Sequence, residues 1–569
     1  MFFAAVRGHI WGPPDSVNNL FAFLLQNLIR LREADGLVSF IRYLSLPMTN
    51  TSSTPDGAAD NFGSRVKSAV IWRSGTQILA QLISWGATLA VIRILEPSDY
   101  GLFAMTSVIL VFLNFLNGYG IVSALIQQEE VEEIRIRQAF GMLILLNVAL
   151  ALLQLFVAAP AAAAYYQEPV VAEMLRWQAL IYLATPFMIL PEAMLTRNLE
   201  FKKPAIVNLL SALVGALVSL WLALEDYGVW TLVFAPIAIF WTRAVALMLL
   251  TRFWVKPAFH FEGAGHIFNF GWIMLLSHGF WIMQSQSDIF IAGRHFDNHD
   301  LGLYAEALFL TSIFAAKFVP PLNEVAFPAY SRLQNDRSAL AYGFLKAVRL
   351  IMLVSCPLYF GMAVTAGPLV DVVMGPKWTE TAPIIAVLAL AMPVMTLHIL
   401  FHPALNALGL PHIYLRNSII GAIIMPVTFY FAVDYGAIGL AWGWLIAFPA
   451  LMVATYFQSR RHIGIDFTGL ASAIWPGLLA ASLMAVIVHL ADLHIILATW
   501  PQISSFIRLP MLVAIGGCVY VTMLWFTSRA TFMEVVNLVV KRKPPVLEPP
   551  MPEGAEPETQ VKSAPSIRA

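Results

Sequence analysis

The chain has 569 residues, 59% hydrophobic and 12% charged, with 34 basic and 34 acidic residues giving a formal net charge of zero. A water-soluble domain carries roughly 25% charged residues to solvate its surface, so half that share, at a mean hydropathy of +0.73, places the chain in lipid. The neutral balance offers no field for a nucleic-acid partner. Cys356 and Cys518 lie in apolar runs, where Cys acts as a small hydrophobe, and no disulfide framework is expected.

Residues 1–66 differ in style from the rest and read as an N-terminal extension. Segment 17–44 suits an amphipathic surface helix, interrupted by Arg30, Arg32, Glu33, Asp35 and Gly36. It lacks the basic start, apolar stretch and small-residue cleavage site of a signal peptide. A polar leader follows Met48, which makes Met48 an alternative translation start, testable by mass spectrometry of the N-terminus.

Crossing the hydrocarbon takes about 20 apolar residues in a helix. Such runs lie near 68–92, 102–126, 138–160, 171–195, 204–224, 228–250 and 267–293. Seven more lie near 302–326, 347–367, 381–402, 412–433, 436–457, 468–490 and 508–527. The predicted fold class is therefore an all-α integral membrane protein of about fourteen transmembrane helices. Pro186 and Pro191 in the fourth run, and Pro320 and Pro321 in the eighth, predict kinks, either as hinges or as static bends. Connections are short and leave no room for a soluble catalytic domain. The segment 531–569 is rich in Pro and Glu and reads as a disordered tail.

With the N-terminus inside, the internal loops carry Arg135, Arg137, Arg197, Lys202, Lys203, Arg252, Lys256, Arg332, Arg337 and further basic residues. The opposite loops carry Arg93, Arg176, Arg294, Lys377 and Arg508. The positive-inside rule then puts both termini in the cytoplasm. An even number of spans agrees.

The chain also repeats itself. RILEPSDYGLFA at 93–104 returns as RHFDNHDLGLYA at 294–305, with Arg93, Asp99, Gly101, Leu102 and Ala104 matching residues 201 further on. Pro186 faces Pro393 and YGVWTL at 227–232 faces YGAIGL at 435–440, at offsets of 207 and 208. Landmarks in constant order with a slowly drifting offset indicate duplication of a six-helix unit. An even unit returns the chain to its starting side, so the halves share one orientation and a site is expected between them. The expected domains are 67–257 and 258–462, one six-helix bundle each, followed by helices 13 and 14 in 463–530.

Ionisable residues inside spans are costly and mark cavities or partners. Arg73, Arg243 and Lys317 fall at similar depth in helices 1, 6 and 8, and together suit an anionic phosphate entering from the inner leaflet. The alternative for each is snorkelling to the interface or pairing with an acid nearby; Glu192 in helix 4 and Glu306 in helix 8 are further charges within spans. Asp288 lies beside Gln284, Gln286 and Ser287 in helix 7, a polar patch suited to a sugar hydroxyl or a coupling cation, or to a structural hydrogen bond. His278, His398 and His402 have no carboxylate or Cys at ligand spacing, so no metal site is expected. The sequence holds no Walker loop and no serine-hydrolase elbow, and no catalytic residue is assigned.

Four stretches together resemble a known family. They are RILEPSDYGLFAM (93–105) with GYGIVSALIQQ (118–128), TRNLEFKK (196–203), YGVWTLV (227–233), and 287–307 with 320–336. In order over about 68–460, they resemble the polysaccharide flippases of the multidrug/oligosaccharidyl-lipid/polysaccharide exporter superfamily, in particular the exopolysaccharide or lipopolysaccharide-repeat branch. The resemblance implies a V-shaped pair of six-helix bundles in a bacterial inner membrane. It implies an undecaprenyl-pyrophosphate-linked oligosaccharide as substrate and an ion gradient, Na+ or H+, as driving force. Polysaccharide polymerase and chain-length machinery are then candidate partners beside the membrane lipid. Asp288 and Arg294 match the branch's seventh-helix motif, whereas Gln284 and Gln286 stand where members often have Asn. Two rivals are an exporter of small molecules within the same superfamily and a membrane-embedded polysaccharide polymerase or ligase. A cationic cavity argues against the first for cationic drugs, and short outer loops argue against the second.

Overall fold

A computed structural model describes residues 55–117, 132–198, 200–260, 272–500, 502–527, 529 and 533. The amphipathic segment 17–44, the stretch 118–128 and most of the tail expected at 531–569 lie outside these residues. The chain divides into two compact units, Met1–Ser68 and Ala69–Ala569.

The described residues form helices. In chain order they are α1 Pro55–Ile94, α2 Pro97–Phe115, α3 Glu133–Tyr166, α4 Pro169–Arg197, α5 Lys202–Leu224, α6 Trp230–Thr251 and α7 Trp272–His295. After a short turn come α8 Asn298–Arg332, α9 Arg337–Val364, α10 Thr381–Ala407, α11 Pro411–Ala432, α12 Gly436–Ile463, α13 Phe467–Ala491 and α14 Ser505–Thr527. Among the described residues twelve helical stretches are long and apolar enough to cross a membrane; one of them, Pro411–Ile463, is the pair α11 and α12. The protein is an all-α multi-pass membrane protein. Large side chains such as Phe156, Val325, Ile446 and Val513 stand more than half exposed, which suits lipid and not water.

Several boundaries differ from the expected runs. Helix α1 begins at Pro55, inside the stretch read as an extension, because Pro is well placed at a first helical position and nothing breaks the chain after it. Helix α4 runs through Pro186 and Pro191, and its irregularity falls at Ala179 instead. Helix α8 runs through Pro320, Pro321 and Pro328. In a membrane the carbonyls that Pro leaves free are re-satisfied locally, so the helix need not end there.

The repeat is visible as local structure. Helix α3 carries a π-helical turn at Gln154–Ala158 and resumes at Ala159–Tyr166. At an offset of 207, α9 ends at Val364 and a short helix resumes at Ala366–Val373. Gly228 and Gly436, also repeat mates, both adopt positive φ (54° and 71°), the conformation for which glycine is suited, one just before α6 and the other at the first residue of α12.

The two halves meet through those mates. A Cβ on Gly101 of α2 would lie 1.9 Å from the carbonyl oxygen of Asn298, and a Cβ on Gly302 of α8 would lie 1.8 Å from that of Pro97. Pro97 and Asn298 are themselves mates, so each half sets its glycine on the first residue of the other half's helix. The crossing is reciprocal. Beside it, Arg93 at the end of α1 donates to the carbonyls of Val372 and Val373, and Trp378 donates through Nε1 to the Ile92 carbonyl at 2.8 Å. Asn298 donates to Glu168 at 2.9 Å, and Tyr165 stacks on Phe290 with ring centres 4.4 Å apart. One hydrophobic core, from Val91 and Leu175 to Leu388 and Trp444, runs through this junction.

Helices α13 and α14, which have no counterpart in the repeat, lie against the second half. Ala473, Ala480 and Met484 of α13 share a core with Phe344, Met352 and Cys356 of α9, and Tyr520 of α14 donates to the Leu353 carbonyl at 2.7 Å. Asp492 and Arg508 close the turn between them as a two-pronged ion pair.

Candidate functional site

Helices α7, α8, α10, α11 and α12 enclose a cavity of about 400 Å³. Sequence periodicity explains how it arises. Helix α7 turns Gln284, Ser287 and Asp288 inward together, one helical turn apart, so its polar patch faces neighbouring helices instead of lipid. Asp288 is wholly buried, Gln284 and Ser287 nearly so, and Gln286 half-buried.

Asp288 does not open into the cavity. Its Oδ2 accepts from Tyr304 Oη of α8 at 2.7 Å and from Trp444 Nε1 of α12 at 3.2 Å; Trp444 Nε1 also lies 2.7 Å from Tyr304 Oη. Trp444 is the element shared between this knot and the cavity, whose wall it lines. Gln284 does line the cavity. Its amide oxygen lies where a Cβ on Gly421 would be, 2.0 Å away, so glycine at that position of α11 is what lets the amide lie against the helix.

Opposite α7 stand His398 and His402, one turn apart on α10, both lining the cavity. His402 Nε2 is 3.2 Å from Asn406 Nδ2, and its ring meets Tyr414 edge-on at 4.2 Å. Asn417 of α11 accepts at Oδ1 from Gln458 Nε2 at 2.6 Å. The sequence singled out the histidines without a role, and gave no signal for Tyr414, Asn417 or Thr455, because only folding brings α11 and α12 beside α7.

The three expected cations are placed differently. Arg243 of α6 donates to both carboxylate oxygens of Glu192 of α4 at 2.7 Å, each side chain about 30% exposed. This is the pairing given above as the alternative, and a phosphate at Arg243 would share the guanidinium with Glu192. Lys317 of α8 is exposed; Ala316 before it and Pro320 one turn later both line the cavity. Arg73 lies on α1, its side chain outside the described residues, as is that of His278. The structure thus brings Gln284 and the Lys317 segment to one cavity, sets Asp288 behind its wall, and puts Arg243 on the other half.

A second, smaller cleft of about 230 Å³ separates α1 from α8. Trp85, Leu89 and Ile92 face Phe309 and Ile313 across it, and half-buried Glu306 is its acidic residue. Apart from Thr88, the rest of its lining is apolar.

Comparison with known proteins gives the following. A family model described as polysaccharide biosynthesis protein matches residues 90–383. The succinoglycan biosynthesis transport protein ExoT of Rhizobium meliloti (strain 1021) is 25% identical over 463 residues, 79% of this chain and 91% of that protein. The lipopolysaccharide biosynthesis protein WzxC of Escherichia coli (strain K12) is 22% identical over 397 residues, 67% of this chain and 78% of that protein. Among solved structures, the lipid II flippase MurJ in an inward closed conformation superposes with a TM-score of 0.65 at 14% identity, over 81% of this chain and 99% of that one. An inward-facing multidrug resistance MATE family transporter gives 0.52 at 13% identity, over 69% and 98%. These likenesses show a shared fold.

Proposed function

This chain belongs to the polysaccharide biosynthesis protein family, within the multidrug/oligosaccharidyl-lipid/polysaccharide exporter superfamily, and from that premise we propose that it flips an undecaprenyl-pyrophosphate-linked oligosaccharide from the cytoplasmic to the periplasmic leaflet. It is a carrier and not an enzyme. It works in the bacterial inner membrane with both termini in the cytoplasm, and an ion gradient, Na+ or H+, drives it.

The observation that carries this reading is the reciprocal crossing of Gly101 and Gly302 at one end of the molecule. Two repeated halves pinned together at one end form a gate there, which parts when the halves rock against each other. With the termini inside, the pinned end is periplasmic and the opposite end admits the head group. Moving a sugar head through bare hydrocarbon costs several kcal/mol for each unpaired polar group. A cavity beside α7 and α8, with the amides of Gln284 and Asn417 in its wall, lowers that barrier. The apolar cleft between α1 and α8 gives the polyprenyl tail a place at the lipid boundary while the head is inside. The names of the transport protein for succinoglycan and of the lipopolysaccharide protein support a sugar polymer as the product served.

The test is deletion of the gene followed by lipid analysis. Undecaprenyl-linked repeat units should accumulate on the cytoplasmic leaflet, and the wild-type chain should clear them. Undiminished polymer export with no accumulated lipid-linked sugar would end the proposal.

A further inference from the structure

The cavity behind α7 and α8 has features the flippase reading does not by itself require. Its wall is largely apolar, with Trp281, Phe401, Tyr414, Trp444 and Phe448 contributing rings. Between the rings stand hydrogen-bonding groups: the amides of Gln284 and Asn417, and the imidazoles of His398 and His402. Among the lining residues no carboxylate, lysine or arginine occurs. Thr455, 1% exposed, is among the lining residues, and its Oγ1 has no hydrogen-bond partner among the described residues.

Each feature excludes a class of occupant. A metal cation would want oxygen ligands with charge, but the nearby carboxylate of Asp288 is closed off by Tyr304 and Trp444. A pyrophosphate would want cations. An acyl chain would leave the amides and the Thr455 hydroxyl without partners, which buried polar groups do not tolerate cheaply. A pyranose ring meets all the conditions, since it has apolar C–H faces for aromatic rings and hydroxyls that both donate and accept. The volume, about 400 Å³, lies in the range of small-ligand sites, roughly 300–1,000 Å³. Because Asn417 Oδ1 already accepts from Gln458, what Asn417 offers a ligand is its N–H donors.

Position completes the argument. Lys317 is exposed on α8 between Ala316 and Pro320, both of which line the cavity. We propose that this cavity is a sugar subsite that takes the neutral hexose ring next to the lipid phosphate, with Lys317 at its rim for the phosphate itself. The inference rests on the flippase reading and adds to it where the chain reads sugar identity.

The experiment is calorimetric titration of the purified full chain in detergent with farnesyl pyrophosphate and with farnesyl-pyrophosphoryl conjugates of single hexoses. The wild type should bind at least one conjugate about tenfold more tightly than farnesyl pyrophosphate. Gln284→Ala and Asn417→Ala should each remove about fivefold of that preference, the worth of one neutral hydrogen bond, and leave farnesyl pyrophosphate binding unchanged. Lys317→Ala should weaken all probes alike. If the alanine variants do not fold, Thr455→Val decides, because it deletes a hydroxyl that holds no protein partner and keeps the shape. A wild type that binds every conjugate no better than farnesyl pyrophosphate, or cavity variants that weaken both kinds of probe equally, would overturn the subsite while leaving the flippase reading intact. A wild type that binds none of the probes overturns both.

Discussion

Asp288 receives two donors on a single carboxylate oxygen, from Tyr304 and Trp444, which lie on two other helices. Its second oxygen has no partner among the described residues. This residue therefore ties α7 to α8 and α12 whatever else it does. Asp288→Leu should destabilise the protein by about 1–3 kcal/mol, the cost of stranding buried donors, read as a lower melting temperature in detergent. Asp288→Asn keeps an acceptor and should melt close to the wild type. If transport is nevertheless lost, the carboxylate has a role in ion coupling beyond the knot; wild-type transport would leave it a structural tie. The Arg243–Glu192 pair needs a different comparison, since removing either partner alone strands a charge. Arg243→Ala combined with Glu192→Ala should restore much of the stability lost in Arg243→Ala. Export should stay impaired in the double variant if the guanidinium meets substrate phosphate, and should recover if the pair only holds α4 to α6.

At the scale of elements, the crossing of α2 and α8 sets the sharpest expectation. A methyl group at Gly101 or Gly302 meets backbone carbonyl oxygen, which cannot swing aside as a side chain can. Gly101→Ala and Gly302→Ala should each force the two helices apart, at a cost of roughly 1–3 kcal/mol to the closed form. In a background lacking Cys356 and Cys518, a cysteine placed at Asn298 should then react severalfold faster with a membrane-impermeant thiol reagent. An unchanged rate in both variants would mean that the crossing does not act as a gate. Helix starts offer a pH test. Asp336 caps α9 by accepting from Ala339 and Ser338, and Asp466 caps α13 through Thr468 and Gly469. These donors hold both carboxyls below the usual value of 3.8. A depressed folded-state value means that the capping stability is fully present above about pH 4 and is lost as pH falls through the lowered values. The melting temperature of Asp466→Asn should therefore depend less on acid than that of the wild type.

On the scale of the whole molecule, α13 and α14 stand outside the duplication yet share the second half's core. Met484 and Leu512 pack with Phe344 and Met352, and the Tyr520 hydroxyl reaches the α9 backbone. A stop codon at Gly464 would expose this face of α9 and should abolish folded protein, seen as loss of a monodisperse peak in fluorescence-detected size exclusion. Tyr520→Phe should cost about 1 kcal/mol, the ordinary net worth of one hydrogen bond, and leave the peak in place.

Much of this architecture is written in the chain itself. Burying about 20 apolar residues in a helix is a local transfer from water to lipid, so each run declares its own span, and a duplicated motif declares its partner at a fixed offset. Gly101 and Gly302 were legible as mates for that reason. Which side chains meet is not local. Arg243 and Glu192 are 51 positions apart, and Trp444 and Asp288 are 156 apart. A cation inside a span shows in the sequence as a cost that something must relieve, but whether a carboxylate, a cavity or the interface relieves it depends on which helix packs alongside. The sequence by itself therefore determined the membrane class, the approximate place of the twelve spanning stretches among the described residues and the pairing of repeat mates. Tertiary packing alone decided that Arg243 is paired, that Asp288 is walled off, and that Gln284, Asn417 and Thr455 share one cavity, because helix–helix contacts join faces that no periodicity along the chain can connect.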